Sequence, residues 1–215
     1  MAMTINRSNP VVYLVDDEFA IRDSLTLLLE SSGHSVKSFE SAQAFLDNYE
    51  SEQTGCLLLD VRMPLMSGLE LQENLSEKNI TLPIIFISGN ADIPESAKAF
   101  RAGAVDFLEK PFDYQILLQR IEEAIHKDIE AREQSIEKRR LQNRLDQLTA
   151  REKEVLRLII NSYSSKEAAK ILNISNRTIE VHRANIMEKM QAENLSELMR
   201  ITMQSGLLSK RGLNP

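Results

Sequence analysis

The sequence predicts an α/β unit with a doubly wound parallel sheet, then a helical linker, then a four-helix all-α unit. Three observations carry this. Short apolar runs alternate five times with helical patterns in the N-terminal part, charged helical sequence then continues to about Gln147, and the remainder holds helical patterns without a strand pattern. With 215 residues, 42% of them hydrophobic, the chain exceeds one typical domain and can fill two modest cores. The boundaries read as 10–125, 126–144 and 145–210.

In order, the pairs are VVYLV with IRDSLTLLLESSG, HSVKSF with SAQAFLDNY, CLLLD with SGLELQENLSEK, LPIIFIS with IPESAKAFRAG, and VDFLEK with FDYQILLQRIEEAI. Runs such as Leu82 to Ser88, apolar at nearly every position, suit strands covered on both faces, as parallel sheets require. Gly33 and Gly103 close the first and fourth helices as left-handed C-terminal residues. Right-handed crossovers then put a functional crevice at the carboxyl ends of the strands. In the following helix Ile129, Ile136, Leu141, Leu145 and Leu148 are only loosely heptad, which leaves a linker, a short dimer-forming helix and a solvated helix all open. Further on, capping boxes pair Thr149 with Glu152, Ser164 with Glu167 and Asn194 with Glu197, and Ser175 is a fourth N-cap.

The net charge of −6 conceals an asymmetry. Residues 1–125 carry 9 basic against 20 acidic side chains, 126–148 carry 6 against 5, and 149–215 carry 11 against 7. A cationic C-terminal part can approach phosphate backbones that the acidic part would repel. No run reaches the roughly 18 apolar residues of a membrane span, and MAMTINRSNP lacks the apolar core of a secretory signal, so a cytoplasmic protein without membrane contact is expected. Cys56, the one cysteine, reads as a small core residue, and His34, His126 and His182 lack metal-ligand spacing.

Asp16 and Asp17 end the first strand, Asp60 the third, Ser88 the fourth, and Lys110 follows the fifth. In a doubly wound sheet the first and third strands are neighbours, so the three carboxylates are expected at one mouth. Such like charges call for a cation; an oxygen-only site free of imidazole and thiolate suits a hard ion, Mg²⁺. The set fits an aspartate attacking a phosphoryl group: Asp60 as nucleophile, Asp17 and Asp60 holding Mg²⁺ directly, Asp16 through water, the Arg62 backbone carbonyl completing the ligands, and Ser88 and Lys110 on the phosphoryl oxygens. The plain alternative is solvated strand ends. A dinucleotide or P-loop site would need glycines where VDDEFA stands, and a dehalogenase-type phosphatase would need D-x-D after the first strand.

DD after the first strand, D-V-R-M-P-x-M-S-G around Asp60, I-S-G after the fourth strand and K-P-F after the fifth resemble the receiver domain of two-component response regulators. The resemblance implies a flavodoxin-like fold, phosphorylation of Asp60 by a sensor histidine kinase with Mg²⁺, and a switch in which the Ser88 hydroxyl moves inward and the aromatic Phe107 turns in behind it. Phe107 lacks the hydroxyl with which a tyrosine could hold the outward state. No enzymatic turnover beyond self-dephosphorylation is expected.

In the C-terminal part, SSKEAAKILN and SNRTIEVHRANIMEKM hold two helices joined by a turn of about four residues, as in a helix-turn-helix. On a wheel of about 100° per residue Ile186 and Met190 fall within about 20° of Ile179, while Arg177, Val181, Ala184 and Glu188 lie opposite. L-T-x-R-E-x-E-V-L followed by S-x-K-E-A-A-x-x-L-x-I-S-x-R-T-I-E-x-H-R-x-N-I-M-x-K resembles the LuxR-type DNA-binding domain, and its pairing with a receiver is that of NarL/FixJ-type regulators. The resemblance implies a recognition helix in which Glu180, Val181 and Ala184 face bases, while Lys166, Arg177, Thr178, Arg183 and Lys189 mostly meet phosphates. His182 reads as structural. The expected function is a phosphorylation-dependent transcription factor that dimerises on an inverted-repeat promoter site, with RNA polymerase a candidate further partner. Two alternatives stand beside it: a phosphorylation-independent regulator with a vestigial receiver, and a stand-alone phosphatase or phosphotransferase.

Overall fold

The structure is a computed structural model and describes residues 9–51, 53–89 and 93–204. The last residues of the expected C-terminal unit, 205–210, lie outside that set. The chain divides into two compact units with the break between Glu133 and Gln134.

The N-terminal unit alternates β1 (Val11–Val15), α1 (Phe19–Ser31), β2 (Ser35–Phe39), α2 (Ala42–Asn48), β3 (Gly55–Asp60), α3 (Gly68–Glu77), β4 (Ile84–Ser88), α4 (Ile93–Arg101) and β5 (Asp106–Glu109). All strands are parallel, in the order β2-β1-β3-β4-β5. β1, β3 and β4 are buried throughout because successive side chains serve two cores. Val11, Tyr13, Val15, Leu57, Leu59, Ile84 and Phe86 pack with Phe45, Leu71, Leu75 and Ala99 of α2, α3 and α4. Val12, Leu14, Cys56, Leu58, Ile85 and Ile87 pack instead with Leu25 and Leu29 of α1 and Leu117 and Ile121 of the next helix. Gly33 and Gly103 stand at φ +89° and +92°, the left-handed closures expected after α1 and α4.

That next helix, α5 (Tyr114–Asp146), runs without a break, and its apolar residues have separate destinations. Ile125 and Ile129 join the core of the N-terminal unit, and Leu141 and Leu145, with Leu148 just beyond, join the core of the C-terminal one.

The C-terminal unit contains α6 (Ala150–Ile160), α7 (Ser165–Leu172), α8 (Asn176–Met190) and α9 (Leu195–Gln204). Thr149 with Glu152 and Ser164 with Glu167 form reciprocal capping boxes, and Ser175 caps α8. At α9 the Asn194 side chain accepts from Glu197 N, but the Glu197 carboxylate reaches one residue further back, to Glu193 N at 2.8 Å. Asn173, left-handed at φ 51°, closes α7 two residues before the α8 cap, so the turn is one residue shorter than expected.

Candidate functional site

The β1 and β3 carboxyl ends meet through a lysine from the far side of the sheet. Lys110 Nζ donates to Asp16 Oδ2 at 2.9 Å and to Asp60 Oδ1 at 2.8 Å. Its backbone N donates to Ser88 O at 2.7 Å, which ties the residue after β5 to the end of β4. Each carboxylate is held a second time. Asp16 Oδ1 accepts from Glu18 N at 2.9 Å, and Asp60 Oδ2 accepts from Arg62 N at 2.7 Å. Arg22 of α1, which sequence reasoning missed, donates from its guanidinium to Asp16 O at 2.7 Å. Gly68, which ends the motif around Asp60, has a packing reason: a Cβ there would stand 2.2 Å from Asp60 O, so the chain after β3 can fold back against Asp60 only with glycine at this position.

Asp16 is fully buried and Asp60 and Ser88 nearly so. Burial pushes the Asp60 carboxyl above its ordinary value and the neighbouring Asp16 charge adds to this, while the Lys110 contacts pull the other way. Burial also lowers the Lys110 pKa, but its bonds to Asp60 and Asp16 outweigh burial and the net direction is up. One ammonium thus faces two buried acids, and the site keeps an excess of negative charge.

Of the three carboxylates expected at this mouth, Asp16 and Asp60 are joined through Lys110. Asp17 is exposed, and among the described residues no trio of Asp, Glu, His or Cys side chains is closed around a metal-sized gap. The donor set still suits a hard divalent ion: it is oxygen-only, and Asp17 adjoins Asp16. Arg62 is exposed and its side chain reaches Glu95 of α4 at 3.4 Å. Phe107 is half-buried against the core, with its ring centroid 6.1 Å from that of Phe86. Cys56 is buried and its thiol is pushed up by burial, which leaves it inert.

In the C-terminal unit α8 buries Ile179, Ile186 and Met190, as the helical wheel requires, and leaves Arg177, Thr178, Glu180, Val181 and Ala184 exposed. Val181 is 54% exposed. Lys166, in the first turn of α7, is exposed too. Arg183 donates to Ser165 Oγ at 3.3 Å and so spans α8 and α7. Lys189 departs from expectation. Its ammonium lies 2.7 Å from Glu152 Oε2, a carboxylate only 3% exposed, so its charge is neutralised within the unit and it leaves the set of phosphate contacts. His182 is half-buried, and its Nδ1 is buried without a hydrogen-bond partner.

Comparison with known proteins accounts for both units. The response regulator receiver domain family matches residues 12–122, and the luxR family of bacterial regulatory proteins matches residues 146–202. The transcriptional regulatory protein FixJ of Bradyrhizobium diazoefficiens is 42% identical over 198 residues, covering 92% of this chain and 97% of that protein. The response regulator protein TodT of Pseudomonas putida is 43% identical over 192 residues, covering 89% and 85%. Among solved structures, the response regulator StyR superposes with a TM-score of 0.86 at 41% identity, covering 92% of this chain and 100% of that one. Full-length FixJ from B. japonicum gives 0.56 at 42% identity, covering 93% and 98%. Since these matches run through both units, the chain belongs to the FixJ-like response regulators, transcription regulators in which a receiver domain precedes a LuxR-type DNA-binding domain.

Proposed function

We propose that Asp60 accepts a phosphoryl group from the phosphohistidine of a sensor kinase, and that the acyl phosphate switches DNA binding by the exposed face of α8. The observation that carries this reading is the Asp16–Lys110–Asp60 bridge: a buried carboxylate at a strand end, already in contact with an ammonium. In the transfer an Asp60 oxygen attacks phosphorus, the P–O bond forms as the P–N bond breaks, and the leaving imidazole recovers the electron pair. Lys110 moves from carboxylate to phosphoryl oxygen without leaving the site, and the Ser88 hydroxyl donates to a second oxygen. Mg²⁺ would be held by Asp17, Asp60 and the Arg62 carbonyl, with Asp16 through water, and would supply charge neutralisation for the incoming phosphoryl group. Water then hydrolyses the acyl phosphate, the only turnover assigned to the protein.

Movement of Ser88 toward the phosphoryl group frees room at the end of β4, and Phe107, half-buried next to Phe86, turns into it. The altered surface of α4 and β5 favours a receiver homodimer, which presents two copies of α8 to an inverted repeat in successive major grooves, with RNA polymerase a further contact. On the DNA, Glu180, Val181 and Ala184 face base edges, and Lys166, Arg177, Thr178 and Arg183 meet phosphates.

The test compares affinity for a duplex selected from a random pool by the wild-type protein, with and without beryllofluoride, alongside oligomeric state. Tighter binding and dimer formation with beryllofluoride are expected. Equal affinity and an unchanged mass would reject the switch and leave a regulator independent of phosphorylation.

A further inference from the structure

At the opposite end of the sheet from Asp60, α5 grips the receiver through two side chains that neither the pocket nor the DNA-facing surface uses. Asp128 is 1% exposed. Its Oδ2 accepts from Gly55 N, the first amide of β3, at 2.9 Å, and from Arg132 Nε at 2.7 Å. Arg132 also donates through Nη1 to Ser51 O at 2.8 Å, in the loop before β3, and hydrogen-bonds the Tyr49 side chain. One guanidinium thus joins a helix to a loop, an aromatic ring and, through Asp128, a strand.

Around this contact the chain has little freedom. A Cβ at Gly55 would lie 1.9 Å from Val11 O, so β1 and β3 approach closely where Asp128 docks. Tyr49 packs edge-on to Tyr13 at 5.4 Å. Asp128 Oδ1 is buried without a hydrogen-bond partner, so the carboxylate charge is met from the Oδ2 side, by Arg132. Loss of Arg132 would strand a buried charge, which makes the contact closed or open rather than gradually loosened. The compact unit ends at Glu133, one residue past Arg132. From Gln134 to Arg140 every residue except Ile136 is exposed, while α5 continues unbroken to Asp146. Asp128 and Arg132 therefore supply polar side-chain contacts within the last two turns of α5 that belong to the N-terminal unit.

We propose that Asp128 and Arg132 form a latch that fixes the exit of α5 from the receiver, and that the state of Asp60 reaches the C-terminal unit only while the latch is closed. The signalling half of this proposal rests on the phosphorylation reading above. β3 begins at the latch and ends at the phosphoacceptor, so both events act on one strand of six residues.

The full-length protein is compared with Arg132→Ala and with Asp128→Asn/Arg132→Gln. The double variant keeps hydrogen-bonding groups, removes both charges and serves if the single variant fails to fold. Hydrogen exchange is followed at residues 126–133, beryllofluoride uptake by fluorine NMR, and affinity for the selected duplex with and without beryllofluoride. The expectation is exchange at 126–133 faster by about tenfold or more with Leu117 to Ile125 unchanged, normal beryllofluoride uptake, and an affinity ratio that falls from the order of ten or more in the wild type toward one. Unchanged exchange would show that no latch exists. Faster exchange with the wild-type ratio retained would show that the latch does not carry the signal. A wild-type ratio of one would overturn the phosphorylation reading and the signalling half together, while the exchange result would still decide whether the latch exists.

Discussion

Among single residues, two buried carboxylates make opposite predictions. Asp60 is held above its ordinary pKa, first by burial, so its ionised form costs stability. A raised acid contributes most below its unfolded value of about 3.9 and loses that contribution as pH rises through the folded value. Asp60→Asn is therefore expected to abolish phosphoryl uptake while raising the receiver's unfolding midpoint at neutral pH, with no gain over wild type below about pH 3.9. Stoichiometric labelling by a phosphoryl donor and thermal melts across pH check both halves; retained labelling would refute the nucleophile assignment. Glu152 runs the other way. Despite its burial, hydrogen bonds from Lys189 and Thr149 lower its pKa to about 2. Its contribution is present above the unfolded value of about 4.3 and disappears as pH falls through about 2. Glu152→Gln should cost the C-terminal unit about 1–3 kcal/mol at neutral pH, and denaturant titrations should converge with wild type as the pH approaches 2.

Secondary-structure elements separate what was legible in sequence from what was not. The two-sided burial of β1, β3 and β4 follows from unbroken apolar runs, because a strand covered on both faces leaves no polar alternation. The α8 wheel likewise predicted which side chains are buried, since periodicity reports packing directly. Partnerships across long sequence separations were not legible. Lys189 finds Glu152 at a separation of 37 residues, and Asp128 finds Gly55 at 73, and no local pattern marks either. Asp17 and Asp16 look alike in the DD motif, but Asp16 is buried and bonded to Lys110 while Asp17 is exposed. For the helix-turn-helix, Lys166→Ala is expected to weaken binding similarly on all duplexes and to lower the salt slope by about one. Glu180→Ala is expected to relax preference at one base pair, by about 1–3 kcal/mol. Binding measured over several salt concentrations and single-base substitutions distinguishes the two; a changed base preference for Lys166→Ala would contradict a phosphate contact.

Across the whole molecule, charge is sorted by unit, with the acidic excess in 1–125 and the basic excess in 149–215. This leaves DNA attraction to the C-terminal part and phosphoryl chemistry to a receiver that nucleic acid repels. Composition alone made that division legible; the identity of the exit point of α5 needed coordinates. Cys56 adds a practical consequence. The molecule has a single sulfhydryl, enclosed in the middle of the receiver core between β1 and β4. An alkylating reagent can reach it only when the central strands part, so its labelling rate is a clock for breathing of that one unit, silent to fraying elsewhere. Native-state labelling should be slow, should slow further with beryllofluoride present, and should be unaffected by Glu152→Gln; acceleration by that distant substitution would mean that the two units unfold together.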